Sequence, residues 1–154
     1  MKKVFGVVLI ITFVCTGFQS SDPDLDLVRL DFYTYPKNKS LCKVAIKKLE
    51  ANQNNSKTHL AYLGYLQTVW ANHTINPVNK LSTFKNGKKN IELALKSNPN
   101  NLEIRLIRLS VQKNAPGFLG YNANIKEDTE FLKENCHQIK SVVLQKNIET
   151  LLSE

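Results

Sequence analysis

The stretch SKTHLAYLGYLQTVWANH, residues 56 to 73, decides the fold. Wound as a helix at about 100° per residue, it spreads Leu60, Tyr62, Leu63, Tyr65, Leu66, Val69 and Trp70 around almost its whole circumference. A helix with one apolar stripe lies on a surface, whereas one that is apolar nearly all round must be enclosed by other elements. Ala61, Gly64 and Ala71 are small enough to let a neighbouring helix come close. No strand-like run bounded by turn residues occurs, and helical periodicity recurs on both sides. The expected fold class is all-α, with five or six helices.

Toward the C-terminus, a helix is predicted from Pro77 or Leu81 to Ser97. Phe84, Gly87, Ile91, Ala94 and Leu95 face inward, while Lys85, Lys89, Glu92 and Lys96 form a solvated stripe. NPNN, residues 98 to 101, ends it, and LEIRLIRLSVQ starts the next. There Leu102, Leu106 and Leu109 form one apolar strip, and Ile104, Ile107 and Val111 form another on the opposite side. Arg105, Arg108 and Gln112 occupy one edge between the strips, with Glu103 and Ser110 on the other. This helix is therefore held on two sides. Its arginines lie one turn apart and present two forks suited to a carboxylate or other anion. The alternative is pairing inside the domain, with Glu92 or the acids of KEDTE, residues 126 to 130.

Helices held on two sides and joined by short turns are what stacked helical hairpins produce. The Leu63–Gly64 pair, followed by Gly87, Ile91, Ala94 and Pro99, resembles the two helices of a tetratricopeptide repeat, over roughly residues 57 to 113. Gly64 and Gly87 are 23 residues apart, against about 12 in the 34-residue repeat, so the hairpin is longer, and no second complete repeat follows. The resemblance implies a short helical-hairpin array that holds a peptide or partner protein in a groove. It implies no catalysis.

On the N-terminal side, a short helix is expected from Asp24 to about Tyr35, stopping before Pro36. A second, capped by Ser40, puts Cys42, Ala45, Ile46 and Leu49 on one face until NQNNS breaks it. After Gln112, the loop NAPGFLGYNAN carries Phe118, Leu119 and Tyr121 between glycines. Exposed, these would mark an interaction site; folded back, they would plug the end of the bundle, which the aromatic content favours. A last helical region, residues 125 to 152, is expected to bend or break near NCHQ.

The chain opens with Lys2 and Lys3, an apolar run from Val4 to Val14, and small residues at Thr16 and Gly17. This reads as a signal peptide over residues 1–17, too short to span a bilayer comfortably, ahead of a single α-helical domain over residues 22–154. Cys15 as the lipidated cysteine of a lipoprotein is a secondary reading, because Val14 stands where such signals carry a small residue. Export permits a disulfide, so Cys42 and Cys136 are a candidate pair, with a buried thiol at Cys42 as the plainer alternative.

The net charge of +8 is uneven. Residues 22–36 carry −3, residues 37–97 carry +9, and residues 98–154 balance. Such asymmetry points to anionic partners, and export argues against nucleic acid. His59 and His73 lie about 21 Å apart along one helix and cannot share a metal. There is no HExxH, CxxC, phosphate-binding glycine loop or nucleophile elbow. No enzyme activity and no cofactor are expected. The lysine- and asparagine-rich composition suits a bacterial envelope or periplasmic protein. The expected function is that of an exported scaffold or adaptor with a protein or peptide partner, acidic in character, bound beside Arg105, Arg108 and Gln112 with Phe118 and Tyr121 at hand. The other expectation is a binder of small anionic ligands or envelope polymers through the lysine-rich face.

Overall fold

The computed structural model describes residues 22–52 and 56–154; the expected signal peptide and Cys15 lie outside these. Among the described residues seven α-helices run in the order α1 (Pro23–Leu30), α2 (Lys39–Ala51), α3 (Lys57–Asn72), α4 (Pro77–Ser97), α5 (Leu102–Asn114), α6 (Ile125–Asn135) and α7 (Val142–Ser153). Single 3₁₀ turns stand at Gly117–Leu119 and Cys136–Gln138. The fold is all-α, with one or two helices more than expected. The extra count comes from NCHQ, which ends α6 outright, so that Ser141 caps a separate α7.

Local chemistry sets the boundaries. Asn38, Ser56, Asn76, Asn101 and Ser141 each turn a side-chain oxygen onto an otherwise orphaned N–H of the following helix. The first helix ends earlier than its periodicity suggests. Residues 31–37 form turns in which Thr34 N and Tyr35 N both donate to Asp31 O. The aromatic and β-branched run Phe32–Tyr35 is a poor helix former, and Pro36 pushes Tyr35 away from helical geometry. The turn buries Phe32 and Tyr35, which are 0% and 2% exposed.

α3 is enclosed by α2, α4 and α5. Its contact with α4 is unusually close. A Cβ on Gly64 would stand 2.6 Å from Gly87 O, and one on Gly87 would stand 2.5 Å from Gly64 O. The two glycines thus face each other across the crossing and set how near the helices approach.

α5 divides two apolar cores. Ile104, Ile107 and Val111 pack into the first, built from α1 to α5. Leu106 and Leu109 belong to the second, with Leu132 of α6 and Leu144, Ile148 and Leu151 of α7. Arg29 of α1 ties α5 from the other edge, donating to Glu103 at 2.6 and 3.1 Å, and Tyr62 of α3 donates to the same carboxylate at 2.6 Å.

Burial raises the pKa of all five tyrosines, Tyr33 to about 12 and Tyr35, Tyr62, Tyr65 and Tyr121 further. A raised folded value means the native state holds its protons beyond the unfolded value of about 10. Stability is therefore fully present below about pH 10 and is lost as pH rises toward the folded values. In an alkaline titration, helical circular dichroism and tyrosinate absorbance should stay flat to about pH 10 and then change together. Tyrosinate appearing near pH 10 with the helices intact would contradict this.

Candidate functional site

Arg105 and Arg108 occupy the edge of α5 that the spacing assigns them, but α6 covers that edge. The two residues are 8% and 6% exposed. Asp128, fully buried, accepts from Arg108 Nε at 2.6 Å, Arg108 Nη2 at 2.7 Å and Arg105 Nη1 at 2.8 Å. Arg105 also donates to Glu127 at 2.6 Å and to Pro99 O at 2.7 Å, and its guanidinium lies 4.3 Å over the Phe131 ring. Glu92 stands 3.7 Å from Arg108 and accepts the Tyr121 hydroxyl. Burial works against the charge on Arg108, yet the hydrogen bonds and charge of Asp128 outweigh it and hold the pKa above its ordinary value. Hydrogen bonds from Arg105 and Asn124 hold the Glu127 carboxyl below its ordinary value.

Two guanidiniums thus meet three carboxylates, which leaves no positive charge to offer an anionic ligand. The expected groove at Arg105 and Arg108 is an internal seam, closed by Glu127 and Asp128 of KEDTE and by Glu92. Gln112 is 2% exposed at the same seam, where its Nε2 reaches Asn124 Oδ1 at 3.4 Å. It faces no opening either.

The aromatic loop divides. Tyr121 is 5% exposed and packs edge-on to Phe84, whereas Phe118 is 87% exposed. Gly120 makes this possible: at φ 58° it takes the left-handed turn that swings Tyr121 inward while Phe118 stays out. Cys42 and Cys136 are both free thiols, in different cores. Cys42 donates to Leu66 O, and burial pushes its pKa up to about 12. His59 and His73 each engage a backbone carbonyl, Leu49 O and Tyr35 O. Among the described residues no three His, Cys, Asp or Glu side chains group as metal ligands, and no helix is long and apolar enough to cross a membrane.

A larger opening lies elsewhere. A cleft of about 620 Å³ runs between the C-terminal ends of α3 and α5, the start of α4 and the residue 31–37 turn. Val69, Leu81, Phe84, Val111 and Leu119 are among its apolar walls, Phe118 stands at its rim, and Lys37, Lys80 and Glu154 are its charged side chains. Four of its six uncharged polar side chains have partners within the chain. Tyr33 donates to Asn147 O, Tyr65 to Phe32 O, Thr68 to Tyr65 O and Asn114 to Ser110 O. What the walls offer a ligand is carbon. Exposed apolar side chains continue beyond the cleft at Ile75 (94%) and Val78 (75%).

Of the binding residues expected from the sequence, Phe118 borders this cleft together with its loop neighbour Leu119, whereas Arg105, Arg108, Gln112 and Tyr121 do not line it. The missed signal was Ile75, Val78 and Leu81, apolar residues around the start of α4 that fall off its buried stripe. Compared with known proteins, the chain matches no family model, no curated protein and no solved structure.

Proposed function

We propose that the chain is a non-catalytic, exported scaffold or adaptor of a bacterial envelope that binds a protein or peptide partner, and that the partner sits in the apolar cleft between α3, α4 and α5. The observation that carries this is the combination of a cleft with apolar walls, four of whose polar side chains are bonded internally, with an exposed apolar rim at Phe118 and Leu81. Monomeric proteins rarely leave contiguous apolar surface open without an interaction to cover it. The close crossing at Gly64 and Gly87 supports the tetratricopeptide-like hairpin, since small residues at those positions serve the same approach of paired helices. Export rests on the N-terminal residues.

A photo-crosslinking residue at position 118, compared with one at the exposed Val142 of α7, tests the proposal in native envelope extract. A discrete protein adduct is expected from position 118 and none from 142. No adduct at 118, or equal adducts at both, would remove the cleft from consideration as the partner site.

The second reading, a binder of small anions or envelope polymers, is favoured by one feature. Lys43 and Lys47 of α2 line a separate groove of about 340 Å³ with Gln67, Trp70 and Asn86, where Glu50 offsets one of the two positive charges. Binding there would weaken steeply with salt, unlike binding in an apolar cleft.

A further inference from the structure

We infer that the cleft receives an amphipathic α-helix whose polar flanks are acidic, which rests on the binding role proposed above. Three observations point to this occupant. The first concerns backbone. An extended peptide needs hydrogen-bond partners for its own N–H and C=O groups, as it finds at the edge of a sheet. Here the walls are helix ends and turns with no sheet edge among the described residues, so they offer no ladder of alternating N–H and C=O groups, and Thr68, Asn114, Tyr33 and Tyr65 direct their side-chain hydrogens to carbonyls of this chain. A helix satisfies its own backbone and presents only side chains, so it enters without leaving polar groups unpaired.

The second is extent. The cleft has room for the apolar anchors of such a helix, whose backbone would lie across the mouth. The exposed Phe118 and Leu81 add apolar surface at its rim, and Ile75 and Val78 stand exposed near the start of α4.

The third is charge. Two of the three charged side chains at the cleft are lysines, Lys37 and Lys80, with Glu154 the third. Lys85, Lys88 and Lys89 follow along α4, and between Lys37 and Glu92 the sole acidic residue is Glu50. Acidic flanks complement this field, and basic flanks would be repelled by it.

Fluorescence anisotropy with labelled peptides of about 16 residues, long enough to become helical on binding, provides the test. One peptide carries leucines at i, i+3, i+4 and i+7 with glutamate flanks. A second has lysine flanks, and a third has the first peptide's composition with its leucine spacing scrambled. The acidic amphipathic peptide should bind, the scrambled one should not, and Phe118→Glu should weaken binding roughly tenfold or more. Lys37→Glu/Lys80→Glu should weaken it by about tenfold and shift preference to the lysine-flanked peptide. Position 118 and both lysines are exposed, so these variants keep the fold, which circular dichroism checks.

Equal binding of acidic and basic peptides would overturn the charge assignment, and equal binding of the scrambled peptide would overturn the helix. Binding of dodecanoate with no peptide binding would assign the cleft to an acyl chain. A homodimer dissociated by Phe118→Glu would assign it to a second copy of the chain. Failure of every peptide alongside a protein adduct at position 118 would sink this inference and leave the binding role standing; failure of both would sink both.

Discussion

Replacing Asp128 with alanine is expected to lower stability by about 3–5 kcal/mol, the usual consequence of removing one partner from a buried ion pair. The figure follows from what stays behind. Asp128 is 0% exposed and is the shared acceptor of Arg105 and Arg108, themselves nearly buried. Without it, Arg108 keeps only Glu92 and Glu127, each at 3.7 Å. A guanidinium so placed is desolvated and poorly paired. Urea unfolding followed by circular dichroism measures the loss as a lower midpoint. Asp128→Asn should fall between, because it keeps shape and an acceptor oxygen but removes the charge. A midpoint shift worth less than about 1 kcal/mol would mean that the seam behaves as a solvated surface pair. The same geometry governs how charge reversal at Arg105 or Arg108 must be read. A loss of partner binding in such a variant would report the damaged seam between α5 and α6, not a ligand contact.

Gly87→Ala is the second large effect, and its sign is informative. Helix propensity alone favours alanine over glycine by about 1 kcal/mol inside a helix. Against this, the added methyl would stand 2.5 Å from Gly64 O, 2.7 Å from Thr68 Cγ2 and 2.8 Å from Thr68 N. Two of these three atoms are backbone, so no rotamer change relieves the contact, and α3 and α4 must move apart. Overpacking of this kind typically costs about 1–3 kcal/mol, and backbone contact places it at the upper end. The expected net result is destabilisation by about 2 kcal/mol. Gly64→Ala should behave alike, and the double variant should be worse than either. A stabilised Gly87→Ala protein would show that the two helices do not cross this closely.

The sequence made the skeleton readable for identifiable reasons. α3 is apolar nearly all round, and only an enclosed helix can be so. The two strips of α5 sit 180° apart in broad terms, and each enters a different core. The caps were read less well: Ser40, expected to cap the second helix, lies inside it, and Asn38 two residues earlier is the cap. Periodicity failed at Phe32–Tyr35, where aromatic residues keep a helical rhythm while Pro36 and the side chains themselves favour turns. It also placed Arg105 and Arg108 correctly on an edge but left a ligand and internal pairing with Glu92 or KEDTE both open, and the structure shows the internal pairing, with Asp128 arriving from twenty residues beyond Arg108. The cleft was illegible for a related reason. Its walls are the ends of three helices and a turn, and no stretch of sequence contains more than a fraction of them.

The placing of α5 has a consequence for how the molecule comes apart. Each core lacks a boundary of its own on one side and borrows the same helix to close it. Peeling away α6 and α7 would bare Leu106 and Leu109 to water, and melting α3 and α4 would do the same to Ile104 and Ile107. Neither half can open without leaving the shared partition half wet, a state with the exposure of an unfolding intermediate and few of its entropic gains. One unfolding transition is therefore expected of the two cores, which calorimetry would show as a single heat-absorption peak. Damage at the seam on one side of α5 is therefore felt in the cleft on the other, with no moving part required between them.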